Sequence, residues 1–355
     1  MSLAPAREAA TRLLGVALLC LCAQAAEPIP IGYYGPAEGA VWEGVQLAFE
    51  EANSGGEAFR VVQGWDENPW SGGAATVARM AYESNVAAVI GSVNGDATHL
   101  AEQVVAKALI PMMDPASTDR TVNAAFVPWV FSVMPDDRAF MRALADGLPS
   151  EPFILITSTR HDPRMMTTEF LKALGNRRPL RHIEFERPGD IESHIEEAGA
   201  SVFVVLADAV DSARAVKRLR GARPDAAVYG SHSMGSKRFL REAGDAAARV
   251  RYVSSGLVDG GFGEKFRARF GQAPDHVAAH AYDAAKLILT AIQRGGRDRE
   301  AITEALLALS PYEGVSGAIT WDSLRRNTRP GGSIKLMAHP PSSPAKPAGR
   351  PGSPR

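Results

Sequence analysis

Residues 29–64 read IPIGYYGPAEGAVWEGVQLAFEEANSGGEAFRVVQG, and the changes of rhythm inside this stretch decide the fold. Residues 29–34 form a short apolar run with the length of a strand. Val41, Val45, Ala48, Phe49 and Ala52 then fall on one helical stripe, which Asn53, Ser54, Gly55 and Gly56 end with turn formers. Residues 59–63 are apolar again. A strand, a helix and a second strand joined by short links is a βα unit, which implies a parallel sheet flanked by helices.

The same alternation runs outward along the chain. A helix over 76–84, a strand over 86–90, a helix over 98–108 and a strand over 109–113 complete one doubly wound lobe. After a connection through 130–135 it restarts, with strands expected at 153–157, 181–185, 202–206, 227–229 and 250–254, a second lobe. From Gly260 the pattern turns helical, over 262–270, 278–293 and 299–308. Two long helices with no strand between them suggest that the chain returns to cover the first lobe, and 314–321 with 333–337 read as a final hairpin of the second. The expected class is therefore α/β, with two doubly wound parallel-sheet lobes. A chain of 355 residues is longer than one core usually serves, which fits two domains.

Arg7 and Arg12, an apolar run over 13–23 and small residues around Ala25 have the layout of a secretory signal, with cleavage expected near Ala25 or Ala26. The run is too short for a membrane anchor, and no later segment is apolar for long enough. Both cysteines, Cys20 and Cys22, fall inside it; Leu19 and Leu21 stand where a lipoprotein signal needs a small residue. A mature chain without cysteine relies on packed cores. The formal net charge of −1 excludes the basic surface a nucleic-acid partner needs. Residues 338–355, rich in Pro, Ser and Gly, are expected to be a disordered tail.

Chemistry is sparse. Gly230-Ser231-His232-Ser233-Met234-Gly235 differs from a nucleophile elbow because Ser231 holds the place of its first glycine. There is no paired-histidine zinc motif, no phosphate loop and no dinucleotide fingerprint. The eight histidines are scattered; His276 and His280 read as a surface pair, and Asp66 with Glu67 as solvated loop charges. No catalytic residue, metal or cofactor is expected.

The order of elements and several strings resemble the branched-chain amino-acid binding proteins, the type I periplasmic solute-binding proteins of ABC transporters. The strings are Ile31-Gly32-Tyr33-Tyr34-Gly35-Pro36, Ala48-Phe49-Glu50-Glu51-Ala52-Asn53, Ala88-Val89-Ile90-Gly91, Ile110-Pro111, Ala279-His280-Ala281-Tyr282-Asp283-Ala284 and Gly314-Val315-Ser316-Gly317. The likeness runs over about 28–337. It implies three crossovers, near Val133, Gly256 and Pro311. The first lobe would comprise 27–133 plus 257–311, and the second 134–256 plus 312–337. It also implies a monomer in the periplasm, without a membrane span once the signal is cleaved, that captures a small-molecule ligand in the interlobe cleft and delivers it to an ABC permease. A sensory receptor of the same fold is the alternative, and a hydrolase a remoter one.

Physics points to the same cleft, because open α/β sheets bind ligands beyond the carboxyl ends of their strands. In amino-acid-binding relatives the segments matching Ser92, Asn94 and Gly95, and Ala116, Ser117 and Thr118, hold the ligand carboxylate. The amides of Ala116 and Thr118 can do so whatever their side chains, and the Ser117 and Thr118 hydroxyls serve equally as helix caps. Three positions depart from the family pattern: Gly95 stands for a hydroxyl residue, Ala209 for an aromatic one, and His232 for the acid that receives the ligand ammonium. Imidazole suits a carboxylate, an amide carbonyl or an apolar ring better than an ammonium, so the expected ligand is not leucine, isoleucine or valine. Trp42 and Trp70 offer flat apolar faces, while Tyr33 reads as core. Arg160 and His161 either bring positive charge from the second lobe or lie solvated on a loop.

Overall fold

The structure, a computed structural model, describes residues 27–56, 58–66, 68, 72–191, 199–257, 260–329 and 333–341. The signal, Trp70, Glu67 and nearly all of the tail lie outside these residues. No helix among the described residues is long and apolar enough to cross a membrane.

The first lobe opens with β1 (Ile29–Tyr34), α1 (Gly39–Ser54), β2 (Phe59–Gly64), α2 (Ala74–Tyr82), β3 (Val89–Gly91), α3 (Gly95–Ala108), β4 (Met112–Asp114) and β5 (Val130–Ser132). Its sheet has the order β2-β1-β3-β4-β5, parallel throughout. The chain then crosses over and builds α4 (Asp137–Asp146), β6 (Phe153–Ser158), α5 (His161–Ala173), β7 (Arg181–Phe185), β8 (Val202–Leu206), α6 (Ala209–Ala222), β9 (Ala227–Gly230), α7 (Lys237–Ala243) and β10 (Arg251–Ser254). It returns as α8 (Phe262–Phe270), α9 (His276–Gly295) and α10 (Arg299–Ala308), then β11 (Tyr312–Gly314), β12 (Gly317–Ile319) and β13 (Lys335–Ala338). The second sheet runs β13-β10-β9-β8-β6-β7, and only β13 is antiparallel.

Both faces of each sheet are covered, which is why the strands read as continuous apolar runs. In the first lobe one face packs Ile31, Val45, Phe49 and Ile90 beneath Ala281, Ile288 and Ile292 of α9, and the other packs Tyr34, Val77, Val89 and Val105. The returning helices therefore cover the first lobe, as their pattern suggests. Gly44 lets α1 and α9 approach closely: a β-carbon there would stand 2.2 Å from the Ala278 carbonyl oxygen. The second lobe has its own pair of cores, around Ile156, Phe203 and Val216 on one face and Phe140, Phe153 and Leu206 on the other.

The carboxy-terminal segments differ from expectation. β11 and β12 pair with each other, and Ile319 lies in the first-lobe core with Trp321 packed on it. Asp283 of α9 anchors this hairpin by accepting from the amides of Val315 at 3.0 Å and Ser316 at 2.7 Å. Asn327 then donates to the Val133 carbonyl at 2.6 Å beside the first crossover, and β13 alone joins the second sheet.

Candidate functional site

In the first sheet the order reverses between β1 and β3, and in the second between β6 and β8, so the loops that follow these strands diverge and leave a crevice. The lobes meet at those loops, and two rims hold them together. At one rim the Gly95 amide donates to Asp162 Oδ2 at 2.9 Å, His161 Nε2 bonds Asp119 Oδ2 at 2.8 Å, and Arg120 pairs with Glu169 at 3.3 Å. At the other, the Lys237 amide donates to Asp275 Oδ2 at 3.0 Å and its ammonium pairs with Glu43 at 3.4 Å. Each bond joins an element of one lobe to an element of the other, so the molecule is closed.

The expected carboxylate cradle is reorganised from within. Asp114 is wholly buried and accepts through Oδ1 from the amides of Ala116 at 3.1 Å and Ser117 at 3.0 Å. An acidic side chain of the protein thus takes one of the two amides that the resemblance offers to a ligand, that of Ala116, together with its neighbour at Ser117, leaving the Thr118 amide. Burial pushes Asp114 up to about 8, so it holds a proton at neutral pH. The Ser117 hydroxyl serves the fold, its Oγ accepting from the Asp119 amide at 3.2 Å, and the Thr118 carbonyl accepts from the Asp137 amide at 2.7 Å. Asn94 caps α3 by accepting from the Ala97 amide at 2.9 Å. Ser92 is fully buried, and its Oγ has no partner among the described residues.

Gly95 has a steric reason for being glycine. A β-carbon there would stand 2.4 Å from Asp162 Oδ1 and 3.0 Å from Asp119 Cβ, so the hydroxyl residue common at this position in relatives has no room. Asp162 is pushed up to about 6 by burial, and Asp137 is raised well above the carboxylate range for the same reason. Both Asp137 oxygens and Asp162 Oδ1 have no hydrogen-bond donor placed on them among the described residues. This end of the cleft is thus backed by buried, weakly acidic carboxyls.

The opposite side is built of imidazoles. His232, on the turn after β9, lies with its ring centroid 4.9 Å from Phe140 and 6.0 Å from His276. Burial first, then His276 beside it, pushes His232 down to about 3, and burial also lowers His276. Both are therefore neutral, and His232 Nδ1 and His276 Nε2 have no partner among the described residues. His276 and His280, expected as a surface pair, are both buried, because the first turns of α9 run beneath the second lobe's β9 turn. His280 Nδ1 donates to the His276 carbonyl at 2.7 Å, leaving Nε2 as an acceptor 3.5 Å from the Arg329 guanidinium.

Trp42 is half-buried and tilted against the core Tyr33 ring at 5.1 Å; Trp65, by contrast, packs on Tyr34 within the lobe. Arg160 is exposed and lies 3.5 Å from Asp211 and 3.8 Å from Asp208, acids of its own lobe. Ala209 opens α6, whose cap is Asp208. Asp114, Asp137, Asp162, Phe140 and His276 escape the sequence reading. Only Asp114 carries a local signal, an acid two and three residues ahead of free amides.

A family model described as periplasmic binding protein matches residues 31–338. Solved structures share the fold. The branched-chain amino acid transporter substrate binding protein LivJ from Streptococcus pneumoniae, in complex with isoleucine, aligns with a TM-score of 0.80 at 19% identity, covering 88% of this chain and 97% of that one. The leucine binding protein LivK from Thermotoga maritima aligns at 0.78 and 20% identity, over 87% and 98%. A solute binding protein from R. palustris in complex with benzoate aligns at 0.76 and 17% identity, over 88% and 98%. No curated protein sequence matches the chain.

Proposed function

The chain belongs to the periplasmic binding protein family, and on that premise we propose that it is the substrate-binding protein of an ABC transporter, capturing a small carboxylate or amide that lacks an α-ammonium group. One observation carries the ligand class: His232 stands where relatives place the acid for the ammonium, and it is neutral with Nδ1 unpartnered. A neutral imidazole donates or accepts one hydrogen bond and offers no counter-charge. Trp42 supplies apolar surface for the ligand body, as small-molecule sites do, and the buried Phe140 backs the His232 ring.

The other end of the cleft favours an amide over a carboxylate. Asp114, Asp137 and Asp162 lie near it, and Asp162, pushed up only to about 6, keeps its charge at neutral pH and repels a ligand carboxylate. The open oxygens of Asp137 and Asp162 suit an amide NH₂, whose carbonyl then reaches the imidazole side. The chain acts as a receptor without catalysis: Ser231 Oγ bonds Ser233 Oγ at 2.8 Å, which gives it no general base. Export by a cleaved signal, a monomeric state and docking to a permease complete the proposal.

Closure follows as a population shift, because only the closed state lets a ligand touch both lobes. A thermal-shift panel of aliphatic and aromatic amides, carboxylates, 2-oxo acids and branched-chain amino acids tests the reading, since a ligand that binds the folded state raises its stability by mass action. Amides and carboxylates should stabilise the protein and compact it in solution scattering. Stabilisation by leucine or valine alone would overturn the ligand class, and turnover of a bound compound would overturn the receptor.

A further inference from the structure

At the rim where α3 faces α5, two histidines and an aspartate from different parts of the chain converge. His99 lies on α3, Asp119 follows β4, and His161 begins α5; the first two belong to one lobe and the third to the other. His99 Nε2 is 2.9 Å and His161 Nε2 2.8 Å from the same oxygen, Asp119 Oδ2. One donor atom from each of the three residues lies within 4.8 Å of the other two. We propose that His99, Asp119 and His161 form a binding site for a divalent transition ion of the zinc class, and that the bound ion clamps the two lobes closed.

The donor set and its surroundings both point to such an ion. Two imidazoles and a carboxylate suit zinc and its neighbours, whereas magnesium and calcium favour oxygen ligands. Zinc bonds to these atoms are about 2.0–2.2 Å long, which places tetrahedral donors about 3.3–3.6 Å apart. The observed separations reach that range if each side chain retreats by a few tenths of an ångström. Three protein ligands also leave a fourth position for water or for a group of the captured molecule.

The outer partners are already in place. His99 Nδ1 faces Glu102 at 3.7 Å and His161 Nδ1 faces Asp96 at 3.8 Å. Asp119 Oδ1 accepts from the Thr121 amide at 2.8 Å and its hydroxyl at 2.7 Å. A carboxylate behind each imidazole and donors on the far carboxylate oxygen orient ligands in metal centres. A plain interlobe ion pair has no need of all three. The Asp119 side chain is fully buried, while those of His99 and His161 are 24% and 29% exposed, which leaves a path for the ion. Because the ligands come from both lobes, the ion binds the closed state better than the open one and shifts the population toward it.

The test uses the full chain, stripped with a chelator and titrated calorimetrically with zinc chloride, with cobalt as a spectroscopic probe. One ion should bind per chain, more tightly at pH 8 than at pH 6 because the ligands must shed protons, and cobalt should show the visible bands of a tetrahedral site. His99→Ala and His161→Ala, partly exposed substitutions that leave the cores intact, should each weaken binding by more than about tenfold, the lower bound for losing even an outer partner. Zinc should compact the parent in solution scattering and leave His161→Ala unchanged. No binding by the parent, or equal binding by parent and variants, would overturn the site. Binding without compaction would overturn the clamp.

Discussion

Replacing Gly95 by alanine tests whether the closed state depends on the first rim. The new β-carbon would stand 2.4 Å from Asp162 Oδ1, about 1 Å inside an ordinary contact distance of about 3.5 Å. The helices fix both backbones, so either the Asp162 carboxylate swings away or the lobes part, and both break the 2.9 Å bond from the Gly95 amide to Asp162. A hydrogen bond of this kind contributes about 0.5–1.5 kcal/mol net, and about 1.4 kcal/mol is a factor of ten in population. The closed-to-open ratio should therefore fall about twofold to tenfold. Thermal stability should change little, since each lobe keeps its own cores. Solution scattering, or energy transfer between one dye on each lobe, measures the opening. A Gly95→Ala protein as closed as the parent would refute the assignment of this rim as an interlobe latch.

Other consequences are separately measurable. Gly44→Ala should lower the denaturant midpoint by an amount equivalent to about 1–3 kcal/mol, the cost of overpacking, because α1 sits against the Ala278 carbonyl with no room for a methyl group; an unchanged midpoint would contradict that packing. His99 is pushed up to about 10, first by its bond to Asp119 and then by Glu102. Its contribution to stability is full below about 6.5, the unfolded value, and declines as pH rises through about 10. Asp119→Asn should therefore remove most of this alkaline decline in pH-dependent unfolding, and a decline of the same size would contradict the pairing. His232→Phe keeps a ring against Phe140 and removes the nitrogens. It should stay folded and lose about tenfold in ligand affinity, the worth of one hydrogen bond, whereas full affinity would assign His232 to packing alone.

What the sequence discloses, and what it withholds, follows from the range of the forces involved. The strand, stripe and turn in residues 29–64 are local, so βα units and both lobes can be read directly. The two long helices with no strand between them even point back to the first lobe, because they extend no sheet of their own. The hairpin at 312–319 is misplaced by the same reading, since a short β-ribbon has no pattern that names its lobe; Asp283, about thirty residues away, holds it. Polar residues that work at a distance are the least legible. Asp162 meets Gly95 across 67 positions, and His161 meets Asp119 across 42. Asn94 proves to be a local helix cap, a role its type always permits, whereas Ser117 has no helix to cap and holds a turn. The burial of His276 and His280 depends on the second lobe closing over the amino end of α9, which no periodicity records. The departure at Gly95 is legible as a difference from relatives, yet its cause, the Asp162 side chain, lies in the other lobe.

The central claim is a cleft that closes on a small molecule without an α-ammonium group, and one pair of calorimetric titrations tests it. Leucine and 4-methylpentanamide share the same branched hydrocarbon body; the amide lacks the α-amino group and carries a neutral head. The account predicts that 4-methylpentanamide binds measurably with accompanying compaction while leucine does not. Tight binding of leucine, with the amide silent, would contradict it.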